Sequence, residues 1–203
     1  MSEQANTERP TLTDRLRVVF RVVVEPVAAF FNRLGLRPNT MTLAGLGGNI
    51  IGAYFLTQGQ FVVGGIILFL MGSFDALDGT MARLRGEASD WGAFVDSVTD
   101  RYSELITFAA LLYYFMQEGN TAGVMWVYAA AGGSVLVSYV RARAQSLGLD
   151  VKIGLFSRFE RYLVLLPSLI FNIPLVGMIV IGLGANLTAL QRIYAFRKKA
   201  KKL

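Results

Sequence analysis

The chain has no cysteine and no histidine. That removes thiol nucleophiles, disulfides, imidazole bases and the usual zinc ligands, and it leaves carboxylates, Arg, Lys, Tyr and Ser for any chemistry. Charge is scarce as well. Asp, Glu, Lys and Arg make up 17% of the 203 residues and apolar residues 54%, a balance too apolar for an ordinary soluble domain. What charge there is leans basic, with 20 Lys and Arg against 14 Asp and Glu. Interleaved with apolar stretches, that excess is expected to meet a lipid bilayer and no nucleic acid. The start, MSEQANTERPTLTDR, is polar and lacks the basic opening and unbroken apolar run of a signal peptide.

Against this background, residues 75–100 read DALDGTMARLRGEASDWGAFVDSVTD. Asp75 and Asp78 stand three apart, and Asp96 and Asp100 stand four apart, so each pair shares one face of a helix. If the two helices lie side by side, the four carboxylates converge. Converging carboxylates repel one another unless cations sit between them, and oxygen-only ligands suit hard divalent ions, so a pair of Mg²⁺ or Mn²⁺ ions is expected. Gly79, Ala82 and Gly92 lie beside the acids and leave room for a nucleotide or phosphate. Which of the four acids would act as a base is not decided by spacing alone.

The rest of the chain reads as helices. Residues 11–34 place Leu12, Leu16, Val19, Phe20, Val23, Val27, Phe30 and Phe31 at intervals of three and four between arginines, which predicts a helix lying on the membrane surface. Pro38 ends it, and Asn39, Thr40 or Thr42 is expected to cap the next helix. Six membrane spans are expected at about 41–57, 61–82, 91–116, 121–143, 159–172 and 174–194, the fifth interrupted by Pro167. The fold class is therefore an all-α integral membrane protein, six transmembrane helices preceded by an amphipathic surface helix. It divides into an arm over 1–37, a six-helix domain over 38–196 and a basic tail over 197–203. The turns TQGQ, QEGN and FNIP carry no Lys or Arg, whereas basic residues gather in the arm, around Arg83 and Arg85, in the segment Arg141 to Arg161 and in the tail. By the positive-inside rule, both termini and the acidic cluster face the cytoplasm in a multi-pass protein of the cell membrane.

The acidic stretch resembles the signature of the CDP-alcohol phosphotransferases, Asp-x-x-Asp-Gly-x-x-Ala-Arg, eight residues, then Gly-x-x-x-Asp-x-x-x-Asp. All eight fixed positions match: Asp75, Asp78, Gly79, Ala82, Arg83, Gly92, Asp96 and Asp100. The resemblance implies that Asp75, Asp78 and Asp96 hold metal and that Asp100 is the catalytic base while also touching the second metal. It implies that Gly79, Ala82, Arg83 and Gly92 surround a CDP-lipid such as CDP-diacylglycerol, with Asn39 and Ser89 as further nucleotide contacts, and that CMP leaves. A homodimer is implied too.

Arg141, Arg158, Arg161 and Arg192 fall in membrane-proximal segments where an unpaired guanidinium is costly, so each is expected to meet an anion or, as the plainer alternative, to serve as a topology anchor or a partner of Glu160. The segments SYVRARAQSLG, LFSRFERYLVL and LQRIY resemble the phosphatidylinositol-phosphate synthase branch of the family. There basic residues bind the phosphate of inositol phosphate, and Arg141, Arg161 and Arg192 fall on the basic positions. The implied reaction moves the phosphatidyl group from CDP-diacylglycerol to a phosphorylated polyol. Two rivals stand beside it: glycerol 3-phosphate as acceptor, and a carboxylate-lined cation transporter, against which the grouping of the acids at one end of two helices argues.

Overall fold

The computed structural model describes residues 12–201; the side chains of residues 12–22, 75 and 76 lie outside the description, as do residues 1–11 and 202–203 of the expected arm and tail. The described residues form seven helices and no strand: α1 (Leu12–Arg33), α2 (Pro38–Thr57), α3 (Phe61–Arg85), α4 (Asp90–Gln117), α5 (Thr121–Ser146), α6 (Arg158–Ile170) and α7 (Pro174–Ala200). All seven coincide with the expected segments to within a few residues at most ends. Three of them, α3, α5 and α7, are long and apolar enough to cross a membrane. With 13 residues, α6 extends about 20 Å against a hydrocarbon core of about 30 Å. It stops three residues beyond Pro167, whose ring denies the helix one backbone donor.

The start of α2 differs from the expectation. Neither Asn39 nor a threonine caps it; Arg37 holds the cap position in an extended conformation with no side-chain bond, and Pro38 takes the first turn. Proline needs no cap there, because its missing N–H is one that a first turn leaves unsatisfied anyway and its φ is already helical. Thr42 is thereby free for another use, described below. At the other end, α7 runs on through Arg197, Lys198 and Lys199, a basic last turn that suits the negative end of the helix dipole.

One core ties α2 to α7 together. Leu56, Phe61, Leu68, Phe108, Leu111, Phe115, Val127, Leu165, Leu169, Met178 and Ile181 are buried against one another. Outside it, Ile50, Ile51, Phe69, Leu70, Tyr113, Tyr128, Leu136, Leu183, Leu187 and Leu190 are exposed, far more apolar surface than a soluble monomer shows. This is the surface of a membrane protein, whose helices present side chains of this kind to lipid. The helix α1 joins through a separate cluster in which Ala28, Met41, Leu77 and Met81 are buried beside Val24, Phe31 and Phe74. Its Val23, Val27 and Phe30 face outward. Arg85 fastens it in place, donating from Nε to Asn32 Oδ1 at 2.7 Å and from Nη2 to the Leu36 carbonyl at 2.6 Å.

The turn between α3 and α4 is written by two residues. Gly86 takes φ +68°, and the Glu87 N–H then reaches back to the Ala82 carbonyl at 3.0 Å, which closes α3. Ser89 caps α4 by accepting a hydrogen bond from the Gly92 N–H at 3.1 Å. Four residues thus reverse the chain and return Asp96 toward Asp78.

Candidate active site

At this end of the bundle a cavity of about 510 Å³ opens between α2, α3 and α4. Of the residues named from sequence, Asn39, Asp78, Gly79, Ala82, Arg83, Ser89, Gly92 and Asp96 all line it. The small residues leave its walls open: among the described residues a Cβ on Gly79 would meet only the Arg83 guanidinium, at 3.5 Å, and one on Gly92 only the Ser89 hydroxyl, at 3.4 Å. Asp78 is 4% exposed and accepts a hydrogen bond from the Thr42 hydroxyl across the α2–α3 interface, the use to which α2 puts a residue expected as a cap. Arg83 donates to the Thr80 hydroxyl at 2.8 Å, which steadies its guanidinium at the rim.

Asp100 stands one turn below Asp96 and outside the cavity wall, buried between two guanidinium groups. Arg158 of α6 pairs with its Oδ2, and Arg101 lies 3.5 Å from the same atom. The Arg158 guanidinium also sits over the Tyr162 ring, 5.5 Å from its centre. Asp75 is on α3, one turn before Asp78, and its side chain lies outside the description. Among the described residues no three carboxylates converge on a single point. The donor set nevertheless fits hard divalent cations, with the carboxylates of Asp78, Asp96 and Glu87 on one open cavity and neither thiolate nor imidazole near them.

The four arginines expected at the acceptor divide in three ways. Arg158 is on Asp100. Arg161, buried, pairs with Glu104 through two bonds of 2.6 and 2.9 Å. Arg192, also buried, donates from Nε to the Ile153 carbonyl at 2.8 Å and from Nη1 to the Val137 carbonyl at 2.7 Å, holding the loop between α5 and α6 against α7. Thr188 assists by accepting from the Phe156 N–H at 3.0 Å. Arg141 lines a second cavity of about 580 Å³ with Ser97, Arg101, Ser138 and Gln145, and its Nε is buried without a hydrogen-bond partner among the described residues. Arg141, Arg161 and Glu160 lie close enough to Arg192 to act on its charge. Glu160 itself accepts from the Ser157 hydroxyl.

Sequence reasoning missed Thr42, Glu104 and Arg101, together with Arg37, Glu87 and Trp91 on the cavity wall. For Glu104 a signal was present, since it follows Asp100 by four residues at the head of a largely apolar stretch. Nothing in the spacing of Thr42 marks its reach across to α3.

Known proteins resemble the chain over most of its length. Residues 36–190 match the CDP-alcohol phosphatidyltransferase family. The chain is 35% identical over 201 residues to a phosphatidylinositol phosphate synthase of Streptomyces avermitilis, covering 91% of this chain and 82% of that one. It is 31% identical over 192 residues to the archaetidylinositol phosphate synthase of Pyrococcus horikoshii, covering 93% and 98%. Its fold superposes on the crystal structure of Mycobacterium tuberculosis phosphatidylinositol phosphate synthase with CDP-DAG bound, with a TM-score of 0.79 and 28% identity over 86% of this chain and 93% of that one. The same enzyme in complex with manganese and citrate gives a TM-score of 0.80, at 28% identity over 85% and 88% of the two chains. With Asp78 and Asp96 of the acidic signature on one cavity and this match over most of its length, the chain belongs to the CDP-alcohol phosphatidyltransferase family.

Proposed function

We propose that the protein transfers the phosphatidyl group of CDP-diacylglycerol to inositol phosphate and releases CMP. The observation that carries this reading is the cavity on which Asp78 and Asp96 meet Gly79, Ala82, Arg83 and Gly92, in a chain similar to a phosphatidylinositol phosphate synthase and an archaetidylinositol phosphate synthase. Gly79, Ala82 and Gly92 let the nucleotide approach the helix backbones, with Asn39 and Ser89 beside them, and Arg83 faces its phosphates. Asp75, Asp78, Asp96 and Asp100 would hold two divalent ions, Mg²⁺ or Mn²⁺, which when bound would offset the diphosphate charge as CMP departs. Asp100 takes the proton of the acceptor hydroxyl while that oxygen bonds to the β-phosphorus and the bond from phosphorus to the CMP oxygen breaks. Arg141, Arg158, Arg161 and Arg192 supply positive charge for the acceptor's phosphate.

In this reading α2 to α7 form the six-helix membrane domain over 38–196, the short α6 included. The arm over 1–37 lies along the interface through α1, and the tail over 197–203 touches anionic headgroups. The protein works as a homodimer in the cell membrane with both termini and the site in the cytoplasm. Cysteines introduced into this cysteine-free chain test the orientation. Gln58→Cys and Glu118→Cys should react with an impermeant maleimide in intact cells, and Lys201→Cys only after permeabilisation; the reverse pattern would overturn the topology.

An acceptor panel with the purified protein and CDP-diacylglycerol tests the activity: CMP release with inositol phosphate supports it. Release with glycerol 3-phosphate alone would replace the acceptor, and no release with any acceptor would remove the transferase. For the acceptor pocket, Arg141→Gln should raise the KM for inositol phosphate by about tenfold or more through the loss of a charge-assisted contact, leaving the KM for CDP-diacylglycerol near wild type. A topology anchor would change neither.

A further inference from the structure

Glu104 is a carboxylate that the reaction as written leaves unused, and it lies inside the bundle. It follows Asp100 by one turn of α4, so Asp96, Asp100 and Glu104 run in single file down one helix face. Its exposure is 7% and that of its partner Arg161 is 2%, so neither charge has water to fall back on. The pairing is bidentate: Arg161 Nε donates to Oε1 at 2.6 Å and Nη2 to Oε2 at 2.9 Å, while Nη1 donates to the Phe156 carbonyl at 3.3 Å. A guanidinium has five N–H groups. These three bonds leave one N–H on each Nη.

A matching rung stands one turn nearer the site. Arg158, three residues before Arg161, pairs with Asp100, four residues before Glu104. The backbone of α6 packs mainly on α3 and α7, and these long side chains supply its polar link to α4. Remove the charge of Glu104 and Arg161 is left as an uncompensated buried cation, free to turn toward other oxygens, with Asp100 the carboxylate one turn away on the same face.

We infer that Glu104 is a positioning residue for the acceptor end of the site. It keeps the Arg161 guanidinium fixed with two N–H groups uncommitted, and it keeps Arg158 in register with Asp100. This rests on the acceptor reading given above. The test is steady-state kinetics of the full-length enzyme, with inositol phosphate and CDP-diacylglycerol varied separately. Glu104→Gln should raise the acceptor KM by about tenfold or more and leave the donor KM within about twofold of wild type. The charge swap Glu104→Arg with Arg161→Glu restores a buried ion pair but moves the guanidinium to α4, so thermal stability should recover while the acceptor KM stays high.

An unchanged acceptor KM in Glu104→Gln, or its recovery in the swap, would overturn the inference and leave a structural staple. If Glu104→Gln fails to fold, Glu104→Asp keeps the charge with one methylene less, and a wild-type acceptor KM in that variant would overturn the inference equally. Should the wild-type enzyme take another phosphorylated acceptor, the choice of inositol phosphate fails by itself, and the Glu104 variants are read on the KM of the acceptor actually used.

Discussion

Replacing Asp78 or Asp96 by Asn should reduce turnover by about 10³-fold or more. Each carboxylate faces the cavity, and a ligand that offsets cation charge contributes several kcal/mol to the transition state, where each 1.4 kcal/mol is about tenfold in rate. The loss should not come from unfolding. At position 78 an amide oxygen still accepts the Thr42 hydroxyl, Asn and Asp are close in shape, and the residues that build the turn, Gly86 and Ser89, are untouched. Thr42→Val is the graded control. It removes the hydrogen bond that orients Asp78 but keeps the charge, so its effect should be about 1 kcal/mol, or several-fold in rate. Rates measured against metal concentration complete the test, because excess metal should rescue the Asn variants only in part. Full activity in either Asn variant, with the fold intact by thermal melting, would remove the metal-ligand assignment.

The helices were legible because their signals are local. Apolar stretches, Pro38 and the turns TQGQ, QEGN and FNIP mark where helices start or stop, and those boundaries depend on backbone chemistry within a turn or two. The acidic signature was legible for a related reason, since two helices joined by a tight turn bring Asp78 and Asp96 to one cavity almost irrespective of the remaining chain. Where side chains cross between distant elements, sequence said little. Thr42 bonds Asp78 across 36 residues, and Arg161 meets Glu104 across 57, contacts fixed by how four helices rotate against one another. The four acceptor arginines illustrate the limit best. Sequence placed them at one end of the bundle, but which oxygen each one meets is set by tertiary packing: a carboxylate for Arg158 and Arg161, and loop and helix carbonyls for Arg192.

Asp100→Asn should lower the rate of the chemical step by about 10² to 10⁴ if general-base assistance is what this carboxylate supplies. CDP-diacylglycerol binding should survive, because Asp78 and Asp96 still face the cavity that receives the nucleotide. Two explanations of such a loss must be separated, since Asp100 also holds Arg158 and lies 3.5 Å from Arg101. Without its charge, the Arg158 guanidinium can swing to another oxygen and obstruct the site, which would slow the reaction without any proton being involved. The double variant Asp100→Asn with Arg158→Gln distinguishes them, as the two residues are in contact and their effects need not add. A displaced cation predicts that removing Arg158 restores much of the rate. A missing base predicts that the double variant is no faster than Asp100→Asn, because no other group has taken up the acceptor's proton. Donor binding measured on the same proteins closes the argument: if it is lost in Asp100→Asn as fully as in Asp78→Asn, Asp100 acts chiefly as a ligand, and the base lies elsewhere.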